Sequence, residues 1–128
     1  MITAYLVGIS TYQENEDIEV RYCIYDDDEL VCKESAWREY KKPLVVTHWA
    51  LLTLLKKLKE YGDRDITVKI NDGALYEQIK GTSTSKNKEV MMTAKKVRER
   101  LGQYPNVTIK NVGTDNNELK KWNKVLES

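Results

Sequence analysis

Along the chain the spacing of apolar side chains switches between a two-residue and a roughly 3.6-residue period, and each switch predicts a new element. Residues 2–11 (ITAYLVGIST) are apolar on both alternating sets, Ile2, Ala4 and Leu6 against Tyr5, Val7 and Ile9. That pattern predicts a strand covered on both faces, and so one at the centre of a sheet. Polar residues 13–17 predict a turn. The runs 18–25 (IEVRYCIY) and 29–35 (ELVCKES) flank Asp26, Asp27 and Asp28 and predict a hairpin. With its turn centred between Asp27 and Asp28, Cys23 falls opposite Cys32. Two readings follow for the thiols: small apolar side chains sharing one sheet face, or a redox pair.

From Thr47 the period lengthens. Trp49, Ala50, Leu51, Leu52, Leu54, Leu55 and Leu58 predict a helix running to about Tyr61, with Gly62 as its stop. Its apolar stripe is broad, which places it in the middle of the domain. Residues 65–71 (DITVKIN) predict the next strand, with Ile66, Val68 and Ile70 alternating. Gly73 to Ile79 predicts a short helix ended by Gly81, and Thr82 to Ser85 a polar connector. Asn87 to Leu101 predicts a further helix with Val90, Ala94, Val97 and Leu101 on one face. A last strand spans Val107 to Val112, and a closing helix, roughly Glu118 to Glu127, carries Leu119, Trp122 and Leu126. The order β-β-β-α-β-α-α-β-α implies an α/β fold: a mixed five-stranded sheet with helices on both faces.

Length fits one domain over residues 1–128, large enough to hold a core without metal or disulfide. With 41% hydrophobic and 32% charged residues the chain reads as globular, not disordered, collagenous or coiled-coil. The two cysteines lack CxxC spacing and there is one histidine, His48. A His/Cys metal cluster is therefore not expected, and any chemistry would run on carboxylates, hydroxyls or amines. No run suits a membrane span and the N-terminus lacks a signal pattern, so a cytoplasmic location without membrane association is expected. Formal net charge is +1, but residues 1–39 hold 3 basic and 10 acidic side chains and residues 40–128 hold 18 and 10. The sum hides a polarised chain.

Four stretches carry a resemblance to a known family. AYLVGIST resembles the first strand of a ribonuclease H-like domain, and THWALLTLLKKLKEY its central helix. ITVKINDGALYEQIKG resembles its fourth strand with the helix that follows, and NVGTDNNELKKWNKVLES its last loop and helix. The resemblance implies that fold and, in active members, two divalent cations about 4 Å apart held by four carboxylates and cutting a phosphodiester. Carried onto this chain, those four positions fall on Gly8 (or Val7 or Ile9), Leu51 (or Leu52), Asn71, and Lys121 (or Asn123). None is acidic. The nearest acids that could substitute are Asp72, Asp115 and Glu118. A one-residue step along a strand points Asp72 away from the face of Asn71 unless a bulge re-aims it.

The remaining candidates each have two readings. Asn71 either contacts a ribose hydroxyl or phosphate or caps the helix from Gly73. His48 is either a proton carrier or a partly buried structural residue. Trp37, Trp49 and Trp122 either stack on bases or fill the core, and Trp37, in the polar stretch SAWREYKK, is expected to be exposed. Lys86, Lys88, Lys95, Lys96, Arg98 and Arg100 stand against Glu89 and Glu99 over fifteen residues. They form either a phosphate-binding face or a solvated one. The leading expectation is a divergent, catalytically inactive ribonuclease H-like domain without cofactor, binding nucleic acid such as an RNA-DNA hybrid, or a protein. One alternative is an active Mg²⁺- or Mn²⁺-dependent ribonuclease using the relocated acids. Another is a protein-interaction or self-association domain.

Overall fold

The structure is a computed structural model describing residues 1–9, 17–38, 43–81 and 88–126. Five strands form one mixed sheet: β1 (Ile2–Ile9), β2 (Ile18–Asp26), β3 (Glu29–Arg38), β4 (Ile66–Ile70) and β5 (Val107–Asn111), in the spatial order β3-β2-β1-β4-β5. β1 lies at the centre, as its two-sided apolar pattern requires. It pairs antiparallel with β2 and parallel with β4, and β4 pairs parallel with β5. The helices are α1 (Pro43–Leu58, followed by a 3₁₀ turn over Lys59–Tyr61), α2 (Gly73–Lys80), α3 (Lys88–Gly102) and α4 (Asn116–Leu126).

Strand alternation divides the core into two layers. Ile2, Ala4 and Leu6 of β1, Val20, Tyr22 and Ile24 of β2, and Ile66, Val68 and Ile70 of β4 pack with α1, with Leu75 of α2 and with Val97 of α3. Tyr5, Cys23 and Val112 instead pack with Trp122 and Leu126 of α4. Helices thus cover both faces, three on one and one on the other. On α1, Ala50, Leu51, Leu54, Leu55 and Leu58 are all buried, which accounts for the breadth of its apolar stripe.

Three expectations need correction. Cys23 does not face Cys32. Tyr25 pairs with Leu30 but Ile24 pairs with Cys32, so a bulge at Val31 shifts the register and sets Cys23 opposite Lys33. The thiols then lie on opposite faces, Cys23 in the α4 layer and Cys32 against the α1 layer. Burial pushes both thiols up, which disfavours the thiolate. β3 runs on to Arg38, beyond the expected end at Ser35, so Trp37 stands on the strand, exposed as expected. Finally, α1 begins at Pro43, four residues before the change of period at Thr47, because proline suits the first turn of a helix. The Thr82–Ser85 connector lies outside the described residues.

Candidate functional site

At the carboxyl ends of β1 and β4 the fold gathers a small cleft of about 60 Å³, lined among others by Val7, Gly8, Thr47, Ala50, Asn71, Asp72 and Trp122. Trp122 holds this corner together. Its indole N–H is shared between the carbonyl oxygens of Leu6 and Lys69, each at 3.2 Å, which ties α4 to the two central strands.

Strand geometry ends at Ile70, so the alternation expected to turn Asp72 away from Asn71 no longer operates, and both line the cleft. Asp72 is extended (φ −153°, ψ 100°) and its carboxylate accepts the Leu75 N–H at 2.9 Å, capping α2. The cap weighed for Asn71 therefore belongs to its neighbour. Asn71 is exposed, with Oδ1 so close to Gly113 that a Cβ there would stand 2.8 Å away. Glycine at 113 is what lets the turn before α4 approach this amide.

The other two nearby acids also have structural partners. Asp115 Oδ1 accepts the N–H groups of Asn117 and Glu118 at 3.0 and 3.1 Å, capping α4. Glu118 lies 2.8 Å from Lys69 Nζ and 3.8 Å from Lys110 Nζ. The Lys69 ammonium beside it holds its carboxyl below the usual range, with Lys110 adding to the effect. Of the four positions carried over from the resemblance, Gly8 and Asn71 line the cleft, Leu51 is wholly buried and Lys121 is exposed. Among the described residues no three His, Cys, Asp or Glu side chains come together to hold a metal ion. His48 is 1% exposed, more deeply buried than the partly buried residue expected.

The basic helix does not present one face. Val90, Thr93, Ala94 and Val97 point inward, and the helical period then spreads the described cations over two flanks and the outer side. Arg98 lies on the flank toward α2, where it donates to the Gln78 carbonyl at 3.1 Å near the end of that helix, while Lys88 and Lys95, seven residues apart, fall on the outer side opposite the buried face. Lys96 and Arg100 share the opposite flank and line a groove of about 530 Å³ against Trp49, Thr53 and Lys56 of α1. Lys96 Nζ stands 5.9 Å from the centre of the Trp49 ring. Lys86 lies outside the described residues. Asn71, at the start of α2, is on the α2 side and not in the groove.

The sequence pattern does not single out Trp49 and Lys56 as partners of the basic helix. Its only signal is Trp49, Thr53 and Lys56 at i, i+4 and i+7, a polar line through the leucine run. That this line faces α3 is a matter of tertiary packing.

The family profile described as Reverse transcriptase-like matches residues 10–121. No curated relative matches this sequence. Among solved structures, RNase H1 from the halophilic archaeon Halobacterium salinarum NRC-1 is similar with a TM-score of 0.78 and 19% identity, over 91% of this chain and 89% of that one. LC11-RNase H1, isolated from compost by a metagenomic approach and solved in complex with an RNA/DNA hybrid, gives 0.77 and 18%, over 99% and 100%. The N-terminal RNase H domain of a Mycobacterium tuberculosis protein gives 0.73 and 12%, over 98% of each chain. At these identities the likeness is one of fold, and it matches the element order and mixed five-stranded sheet described above.

Proposed function

The chain belongs to the Reverse transcriptase-like family and has a ribonuclease H-like fold, and from that premise we propose that it binds nucleic acid without cleaving it. The observation that carries the reading is the state of the acids at the β1–β4 corner. Among the described residues Asp72 is the one acid lining the corner, beside Gly8 and Asn71, and it caps α2; Asp115 caps α4, Glu118 is ion-paired, and Leu51 is buried in the α1 layer. A pair of divalent cations needs several unpartnered hard oxygens converging on one point, and this donor set does not fit them.

Binding draws on what remains. Asn71 is exposed at the rim of the cleft with donor and acceptor atoms suited to a ribose hydroxyl or phosphate oxygen. Arg98 follows on the α2 flank of α3, Lys88 and Lys95 on its outer side, and Lys96 and Arg100 on the flank beyond. Among the described residues Lys88, Lys95, Lys96 and Arg100 take part in no ion pair, so their charge is available to phosphates. LC11-RNase H1, of the same fold, was solved with an RNA/DNA hybrid, which supports a hybrid as the first ligand to try.

The test is a mobility-shift titration of an RNA-DNA hybrid at increasing salt, with chelator present throughout. Retention should fall steeply with salt, and the double variant Lys88→Ala/Lys95→Ala should flatten the slope by about 1.8, or 0.9 for each lost phosphate contact. No retention at low salt would sink the reading and favour the protein-interaction alternative.

A further inference from the structure

The α1–α3 groove has a composition that the hybrid-binding reading leaves unexplained. It is lined on one side by Trp49, Thr53 and Lys56 and on the other by Lys96, Glu99 and Arg100. Three cations face one carboxylate, and the half-buried indole of Trp49 lies at one end beneath Lys96. Among the described residues Lys56, Lys96 and Arg100 are in no ion pair. Isolated exposed lysines explain themselves as a solvated surface. Cations from two different helices converging on one concave wall around an aromatic ring do not.

We propose that this groove holds a single, unpaired nucleic-acid strand. The inference rests on the nucleic-acid-binding reading above and assigns this flank of α3 its own ligand. Two packed helices lie about 8–10 Å apart, so the furrow between them suits one backbone and its bases, not a duplex. From Trp49 to Lys56 the groove extends about 10 Å along α1. Phosphates would lie along Lys56, Lys96 and Arg100, and one base would stack on the Trp49 face that the Lys96 ammonium now overlies. A cationic track beside an aromatic platform is the general solution for binding single strands without reading sequence, because every base has a stacking face. Glu99 opposes such a ligand, which gives the proposal a variant of opposite sign.

The experiment is fluorescence anisotropy with a labelled twelve-residue oligo(dT) on the full chain, alongside the RNA-DNA hybrid and a twelve-residue poly-glutamate. Lys96→Ala/Arg100→Ala should weaken oligo(dT) about tenfold and lower its salt slope by about 1.4, or 0.7 for each lost contact. Trp49→Leu should weaken it at least fivefold or so, and Glu99→Gln should strengthen it roughly twofold, a gain that misfolding cannot imitate. Hybrid affinity should respond more to Lys88→Ala/Lys95→Ala than to the groove variants. Oligo(dT) binding that ignores all three groove changes, or its absence at low salt, overturns the proposal. If the hybrid is still retained in that case, the broader reading survives; if neither nucleic acid binds, both fall. Poly-glutamate binding as tightly as oligo(dT), with no dependence on Trp49, overturns it in favour of an acidic protein segment.

Discussion

The β1–β4 corner and the α1–α3 groove are both concave and both polar at the rim, yet their charged side chains are in opposite states. Asp72 is the one acid among the described residues that lines the corner, and it caps α2; of the two other candidate acids, Asp115 caps α4 and Glu118 pairs with Lys69. In the groove the cations Lys56, Lys96 and Arg100 line an open wall, with no ion pair among the described residues. The difference teaches that the presence of acids near a site is not the presence of a site. A carboxylate that caps a helix commits one of its two oxygens to a backbone N–H, and the oxygen left on a single aspartate is no cage for two cations.

The largest perturbation of the corner is Trp122→Ala. It removes a buried indole and leaves the Leu6 and Lys69 carbonyls without their shared donor. A loss of about 3–5 kcal/mol in urea unfolding is expected; a loss below about 1 kcal/mol would mean that α4 is not fastened there. Next comes Leu51→Glu, which places an acid where the family resemblance expects one. Because Leu51 is fully buried in the α1 layer, the change should cost roughly 2–4 kcal/mol without producing cleavage. A stable variant that gains divalent-dependent activity would show the corner to be a dormant metal site.

Asp72→Ala should cost about 1 kcal/mol, the value of a helix cap, and leave nucleic-acid retention unchanged; lost retention at unchanged stability would assign Asp72 to the ligand. The smallest effect belongs to Glu118→Gln. The ion pair holds the Glu118 carboxyl below its usual range, so its contribution is complete above the ordinary glutamate range and is lost as pH falls through the lowered value. Wild type should exceed the variant by under about 1 kcal/mol near neutrality and converge with it in acid. A gap that persists in acid would point to packing and not charge.

The fold was largely legible because its strongest signals are local. The two-sided apolar run of β1 placed that strand at the centre, and the leucine-rich stripe of α1 placed that helix in the middle. Illegible were the features set by a single residue or by packing between distant segments. The bulge at Val31 separates Cys23 from Cys32, and no turn signal in the hairpin announces it. The end of strand geometry at Ile70 brings Asp72 to the same cleft as Asn71, where strict alternation would have parted them. The basic helix was found as a charge cluster, but its division into two flanks follows from which neighbour each flank meets, α2 through Arg98 and α1 through Lys96 and Arg100.

The most direct measurement of the central claim is gel analysis of a labelled RNA-DNA hybrid incubated with the purified chain in Mg²⁺, in Mn²⁺ and then in excess chelator. The predicted result is a hybrid retained in salt-dependent fashion and intact in all three conditions. Divalent-dependent cleavage that Asp72→Ala abolishes would contradict it.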